Sequence, residues 1–246
     1  MNKKIFFLHI PKTGGRTLNY LFREYYSERS YIDHIESLNQ DMIPKVIQEK
    51  DYVSGHIPYC KIKRITGKSK EWKFITFVRE PFAHLISHIS WVKNLWDDPS
   101  KYWKHPKEVR DLCDKIRRVD FAELKQIENF VTELDEYGLS CFENSHVRYL
   151  CSSKYGIRTK LNHLEESLKV IKEFSHVGVF ERFESSIQKV FLSFDMKLSE
   201  KQLTLKINNQ NNKVIQNIHS NEKVKHVLLP LVQKDLEIYN ACLKLI

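Results

Sequence analysis

Residues 5–22 read IFFLHIPKTGGRTLNYLF, and the fold is decided there. An apolar run from Ile5 to Ile10 meets Pro11, Lys12, Thr13, Gly14 and Gly15, after which Leu18, Leu21, Phe22 and Tyr25 recur at helical spacing. A buried strand, a tight glycine turn and an amphipathic helix are expected in that order. Such a turn aims backbone N–H groups and the positive end of the helix dipole at one spot, which makes an anion site. Lys12 adds a full charge, Arg16 a second cation, and Thr13 and Thr17 add hydroxyls. A phosphate or sulfate cradle is therefore expected over Lys12, Thr13, Gly14, Gly15, Arg16 and Thr17.

The order of residues separates the candidates. A nucleoside-triphosphate P-loop places its lysine after the glycines and directly before a hydroxyl residue. Here Lys12 precedes Gly14 and Gly15, which weakens a kinase reading and leaves a structural glycine turn as the bland alternative. A second apolar run, Trp72 to Val78, closes on Arg79, Glu80 and Pro81 and turns helical through Leu85, Ile86, Ile89 and Val92. A guanidinium at a strand end and the Ser87 hydroxyl on the next helix suit a phosphate monoester. The alternative is an arginine that caps a strand beside a surface serine. A third run, DYVSGHIPY over 51–59, ends a short strand in Gly55 and His56. In an open parallel sheet, ligands collect at the carboxyl ends of strands, so His56 is expected near Lys12 and Arg79. Imidazole, with an ordinary pKa of about 6.5, suits proton removal from an alcohol. A lone histidine is often structural, as His9 is expected to be.

HIPKTGG followed by a hydroxyl residue resembles the 5′-phosphosulfate loop of the sulfotransferases that use PAPS (3′-phosphoadenosine-5′-phosphosulfate). The likeness is nearest to the glycan 2-O-sulfotransferase branch and its bacterial relatives. The family's Thr-Ser after the glycines is Arg16-Thr17 here. Arg79, Pro81 and Ser87 match the family's 3′-phosphate motif, and Gly55-His56-Ile57-Pro58-Tyr59 is similar to its catalytic-histidine segment. The resemblance implies transfer of a sulfuryl group from PAPS to a hydroxyl, or less readily an amine, leaving adenosine 3′,5′-bisphosphate, with no metal. His56 would be the general base, with Asp33, His34 or Glu36 next in line, and Lys12 would neutralise the leaving phosphate. Asn144 to Leu150 resembles a further family segment, and Arg148 in it is a donor-binding candidate, because a packed cation must meet an anion. Val177 to Phe183 resembles the last core strand with Glu181 as a polar anchor, and 206–213 (KINNQNNK) occupies the place of the loop that closes over adenosine. These segments concern the donor; the acceptor implied is a sugar, a natural product or another small metabolite.

The chain of 246 residues fits a single domain over 1–246. A three-layer α/β fold is expected, with a mainly parallel sheet of strands near 4–10, 51–54, 72–78 and 176–180. Helices are expected over 121–134, over 162–174 with Asn162 as cap, and over 221–243. Hydrophobic content of 41% without an 18-residue apolar run predicts no membrane span. The family's Golgi members carry an anchor, and its lack here implies a cytoplasmic enzyme. Five scattered cysteines argue for reduced thiols and against a zinc or disulfide framework. The net charge of +9 gathers in runs over 61–73 and 101–118, which an acidic donor and acceptor explain. Without a helix-turn-helix, RNP-type or zinc-finger pattern, specific nucleic-acid binding is not expected. Segment 92–143, entered at Trp91, is helical and aromatic-rich (Trp96, Tyr102, Trp103) and is the candidate contribution to the acceptor site. The remaining alternatives are a nucleotide-dependent phosphotransferase and a non-enzymatic nucleotide- or nucleic-acid-binding protein.

Overall fold

The first apolar run is the central strand of the molecule. In this computed structural model, which describes residues 4–67, 71–199, 202 and 221–245, β1 (Lys4–Leu8) leads into α1 (Gly15–Arg23) and the short edge strand β2 (Tyr31–Ile32). α2 (Ile43–Glu49), β3 (Tyr52–Gly55), α3 (Tyr59–Thr66), β4 (Trp72–Val78) and α4 (Pro81–Asn94) follow. Five shorter helices come next: α5 (Pro99–Tyr102), α6 (Lys107–Ile116), α7 (Leu124–Thr132), α8 (Glu136–Phe142) and α9 (Ser145–Leu150). α10 (Leu161–Glu173), β5 (His176–Val179), α11 (Phe183–Ser193) and α12 (Glu222–Leu243) complete the described chain.

The strands lie in the order β2-β3-β1-β4-β5, and every neighbouring pair is parallel. The expected α/β fold is thus present, with a sheet that is wholly rather than mainly parallel. Both faces of the sheet are covered, which is why its strands read as continuous apolar runs. Ile5 and Phe7 pack with Tyr52, Ile75 and Phe77 against Leu18, Leu21 and Phe22 of α1 and Ile187 and Phe191 of α11. Phe6 and Leu8 face the other way with Val53, Val78 and Val177, onto Ile47, Ile62, Val147, Ile171 and Ile238. Helices make the third cluster: Leu85 and Ile89 of α4 meet Leu112, Ile116, Phe130 and Leu139, with Leu228 and Leu231 of α12 behind them. Most of segment 92–143 therefore builds a helical core of its own around α4 and α12.

Several boundaries differ from expectation. The two-residue β2 is too short to carry a period. Phe121 lies before α7 yet is buried in the helical cluster. α10 begins at Leu161, and the cap residue is Lys160, whose N–H donates to His163 Nδ1 at 2.8 Å, so Asn162 sits inside the helix. The stretch 206–213 lies outside the described residues. Among the described residues, no helix is long and apolar enough to cross a membrane. From β1 the chain runs to β2 and β3 on one side and then crosses to β4 on the other. Such a reversal opens a crevice at the carboxyl ends of β1 and β4.

Candidate active site

Because all five strands point one way, the residues that follow them gather along one edge. After β1, Lys12 and Gly14 take left-handed backbone angles (φ 67° and 87°) and fold the turn tightly against the sheet. Side chains are excluded there: a Cβ on Gly14 would lie 2.8 Å from Phe183, and one on Gly15 would lie 2.0 Å from His9 Nε2. The Thr13 hydroxyl donates inward to the Ile10 carbonyl at 2.8 Å. The N–H of Thr17 closes on the Gly14 carbonyl at 3.1 Å. Among the described residues, the N–H groups of Thr13, Gly14, Gly15 and Arg16 are left without an acceptor at the start of α1. The Thr17 N–H is thus engaged within the turn, and the Thr13 hydroxyl is committed to Ile10. Lys12 and Arg16 flank it, and burial followed by the Arg79 and Arg16 charges lowers the pKa of Lys12.

After β4, Arg79 lies across the crevice from this turn. Its guanidinium stacks over the Phe180 ring at 4.3 Å and donates from Nη1 to the Lys12 carbonyl at 3.2 Å. Its buried Nε has no partner among the described residues. The Arg79 backbone N–H donates to His146 Nε2 at 3.3 Å, and Asp235 binds His146 Nδ1 at 3.0 Å. Glu181, the expected anchor, accepts the N–H of Glu80 at 2.9 Å and the hydroxyl of Tyr239 at 3.1 Å. Ser87 lies half-buried on α4, and its hydroxyl makes no hydrogen bond among the described residues.

After β3, His56 is held on two sides. Its backbone N–H donates to Glu36 Oε2 at 2.9 Å, and its Nδ1 meets the His9 carbonyl at 2.6 Å. Since a carbonyl can only accept, Nδ1 carries the hydrogen and Nε2 of a neutral His56 holds the lone pair. Glu36 Oε1 lies 3.9 Å from that Nε2 and 2.9 Å from His34 Nδ1. Gly55 makes room for this carboxylate, because a Cβ there would lie 2.7 Å from Glu36 Oε2. Burial lowers the pKa of His56 against the opposing pull of Glu36. Burial would raise the pKa of Glu36, but the His34 hydrogen bond and the His56 charge bring it down. His34 is raised, chiefly by its hydrogen bond to Glu36.

Lys12, the free N–H groups, Arg79 and His56 therefore meet at the ends of the adjacent strands β3, β1 and β4. Arg148 does not join them as a free cation. It is buried, with Nη2 2.7 Å from Glu143 Oε2 and 2.6 Å from the Ile157 carbonyl, so the anion it meets belongs to this chain. Sequence reading gave no role to His146, which supports Arg79 from 67 residues away, or to Asp235, which binds His146 from a further 89 residues along the chain. No metal cluster is legible in the sequence, yet the fold brings one ring nitrogen each of His9, His34 and His56 within 4.8 Å of one another. The site can hold a dianionic group beside a basic nitrogen and keep both near an open edge. A family model described as the Sulfotransferase family matches residues 1–240. None of the curated proteins matches the chain.

Proposed function

The chain belongs to the sulfotransferase family, and we propose that it moves a sulfuryl group from PAPS to the hydroxyl of a sugar or another small metabolite. One observation carries the reading: an anion cradle, a half-buried guanidinium and a histidine with a directed lone pair converge on three adjacent strand ends. The cradle fits the donor on this chain's own atoms. Free N–H groups of Gly14, Gly15 and Arg16 suit the phosphosulfate, and Lys12 supplies charge beside them. Arg79, with an unpartnered Nε, and Ser87, with an unpartnered hydroxyl, suit the 3′-phosphate. As the acceptor oxygen bonds to sulfur, the bond from sulfur to the phosphate oxygen breaks. The acceptor proton passes to His56 Nε2, and adenosine 3′,5′-bisphosphate leaves. His56 is oriented for this by the His9 carbonyl and by Glu36, and Lys12 offsets the charge that grows on the leaving oxygen. Preorganised donors of this kind lower the barrier by about 3–4 kcal/mol each. Hydroxyl acceptors suit an imidazole base better than amines do. The cytoplasm is the proposed compartment. The helical segment 92–143, which continues from α4 and exposes Trp96 and Trp103, is the proposed source of acceptor contacts.

The test is transfer from labelled PAPS to pooled sugars, phenols and hydroxylated metabolites, followed by two variants on an alcohol acceptor. His56→Ala is expected to lower turnover by about 10²–10⁴ while bisphosphate affinity stays near wild type. Lys12→Ala is expected to lower both. If His56→Ala keeps more than about a third of wild-type turnover, under 1 kcal/mol of barrier is involved and the base lies elsewhere. Tight ATP–Mg binding with indifference to the 3′-phosphate would instead favour a phosphotransferase.

A further inference from the structure

We propose that His9, His34 and His56 form a binding site for a borderline-soft divalent cation of the zinc type, and that an ion held there blocks transfer by occupying the His56 lone pair. The binding half stands on geometry alone; the inhibitory half rests on the reading of His56 as base. The three histidines follow three different strands of the sheet, β1, β2 and β3, so the fold and not a local motif assembles them. Their ring centroids lie 4.2, 5.4 and 5.8 Å apart, and one nitrogen from each falls within 4.8 Å of the others.

Two of the three rings already have the outer-shell partner that metal-bound histidines characteristically keep, a carboxylate or a backbone carbonyl on the second nitrogen. His34 Nδ1 is 2.9 Å from Glu36 Oε1, and His56 Nδ1 is 2.6 Å from the His9 carbonyl. Each arrangement leaves Nε2 as the free ligand atom. His9 is 4% exposed, and its Nδ1 has no partner among the described residues. A buried polar atom left alone in a native interior calls for a reason, and an absent ion is one. His34 adds a second sign: it is a non-glycine residue at φ 51°, a conformation that clusters at functional sites because surrounding structure must hold it.

Nitrogen ligands about 2.0–2.1 Å from a tetrahedral zinc ion stand about 3.3 Å from one another, so the group must close by at most about 1.5 Å. The half-exposed His34 ring is the member free to move inward. Glu36 Oε1, 3.9 Å from His56 Nε2, limits the positive charge of the occupied site. Imidazole ligands favour zinc, copper, nickel or cobalt over magnesium or calcium, which prefer oxygen.

The full chain, stripped with a chelator, should take up one zinc ion in a chelator-competition titration, and cobalt in its place should give the visible spectrum of a nitrogen-ligated tetrahedral site. His34→Gln should weaken the ion by more than about tenfold, and Glu36→Gln by about 10–100-fold, the usual effect of losing an outer-shell partner. His56→Gln provides a second ligand deletion, should the His34 variant fold poorly by circular dichroism. Zinc should inhibit wild-type transfer, a chelator should restore it, and the zinc level that silences wild type should leave His34→Gln uninhibited. Absence of stoichiometric binding, or affinity unchanged in both ligand deletions, overturns the site. Zinc seated at the three histidines with transfer undiminished overturns the inhibitory half. The titration and the cobalt spectrum need no turnover, so a chain that binds the ion but moves no sulfuryl group would count against the proposed function and not against the site.

Discussion

Gly15 makes the chemistry of the turn most concrete. Its position admits no side chain, because a Cβ would lie 2.0–2.6 Å from three atoms of the buried His9 ring. That ring is wedged between the turn and Phe7, on which it stacks at 5.1 Å, and the His9 carbonyl in turn orients His56. Gly15→Ala is therefore expected to disturb cradle and base together. Overpacking of a filled site costs about 1–3 kcal/mol, which should appear as a lowered denaturation midpoint. Bisphosphate affinity and turnover should fall in the same variant. A variant with wild-type stability and affinity would show that the turn tolerates a methyl group and that the contact with His9 is loose. The glycines, Lys12, Arg79 and His56 were legible because each ends an apolar run, and a run's end is visible without the fold. Glu36 and His34 were legible only as fallback bases, since their approach to His56 spans 20 or more residues with no shared pattern. Asp235 gave no signal, and His146 was visible only as a member of the Asn144–Leu150 segment, because their work, His146 on Arg79 and Asp235 on His146, spans the fold.

At the scale of elements, α9 and the loop after it show what a packed cation can mean. The sequence offers Arg148 as a donor contact because a charge in an apolar segment needs an anion. The structure supplies Glu143, which also accepts the Thr159 hydroxyl at 2.8 Å and the Asn144 side-chain amide at 2.8 Å. Arg148 thereby ties α9 to the chain at 143 and to the loop at 157. Both side chains of the pair are at most 3% exposed. Removing one partner of such a pair leaves the other charged and buried, at a cost of about 3–5 kcal/mol. Arg148→Met is expected to lower the unfolding free energy by that amount in denaturant titration, with the folded protein's bisphosphate affinity unchanged. An affinity loss as large as that of Arg79→Ala would return Arg148 to the donor site. The longer elements were legible for the opposite reason. β1 and β4 are buried on both faces, and α12 is long enough to display its period, whereas the two residues of β2 pair only because β3 lies beside them.

Over the whole molecule, the 40 lysines and arginines behind the net charge of +9 include two populations with different physics. In the run over 101–118, Lys101, Lys107, Lys115 and Arg117 pair with Asp98, Asp111, Asp135 and Asp114. Arg110 and Arg117 also lie over the Trp103 and Trp96 rings, at 4.8 and 3.9 Å. Much of the surface charge is thus already spent within the chain. Lys12 and Arg79 are the other population: partly buried, close together, with burial lowering the pKa of each. Charges of that kind are screened by salt far less than exposed ones. Duplex DNA, held only by surface cations through its phosphates, should bind weakly at about 50 mM salt and be lost by about 200 mM. Adenosine 3′,5′-bisphosphate, received at the partly buried pair, should lose much less affinity over the same interval and should exceed ATP–Mg throughout. Arg79→Ala should remove most of that preference, since a charge-assisted contact to phosphate contributes about 1.5–3 kcal/mol. Fluorescence anisotropy with labelled DNA and calorimetry with the nucleotides, in matched salt series, measure both populations in one preparation. Sequence-selective DNA binding that survives at physiological salt would assign the surface cations a nucleic-acid partner. Equal salt slopes for DNA and bisphosphate would show that Lys12 and Arg79 are not the groups that hold the donor.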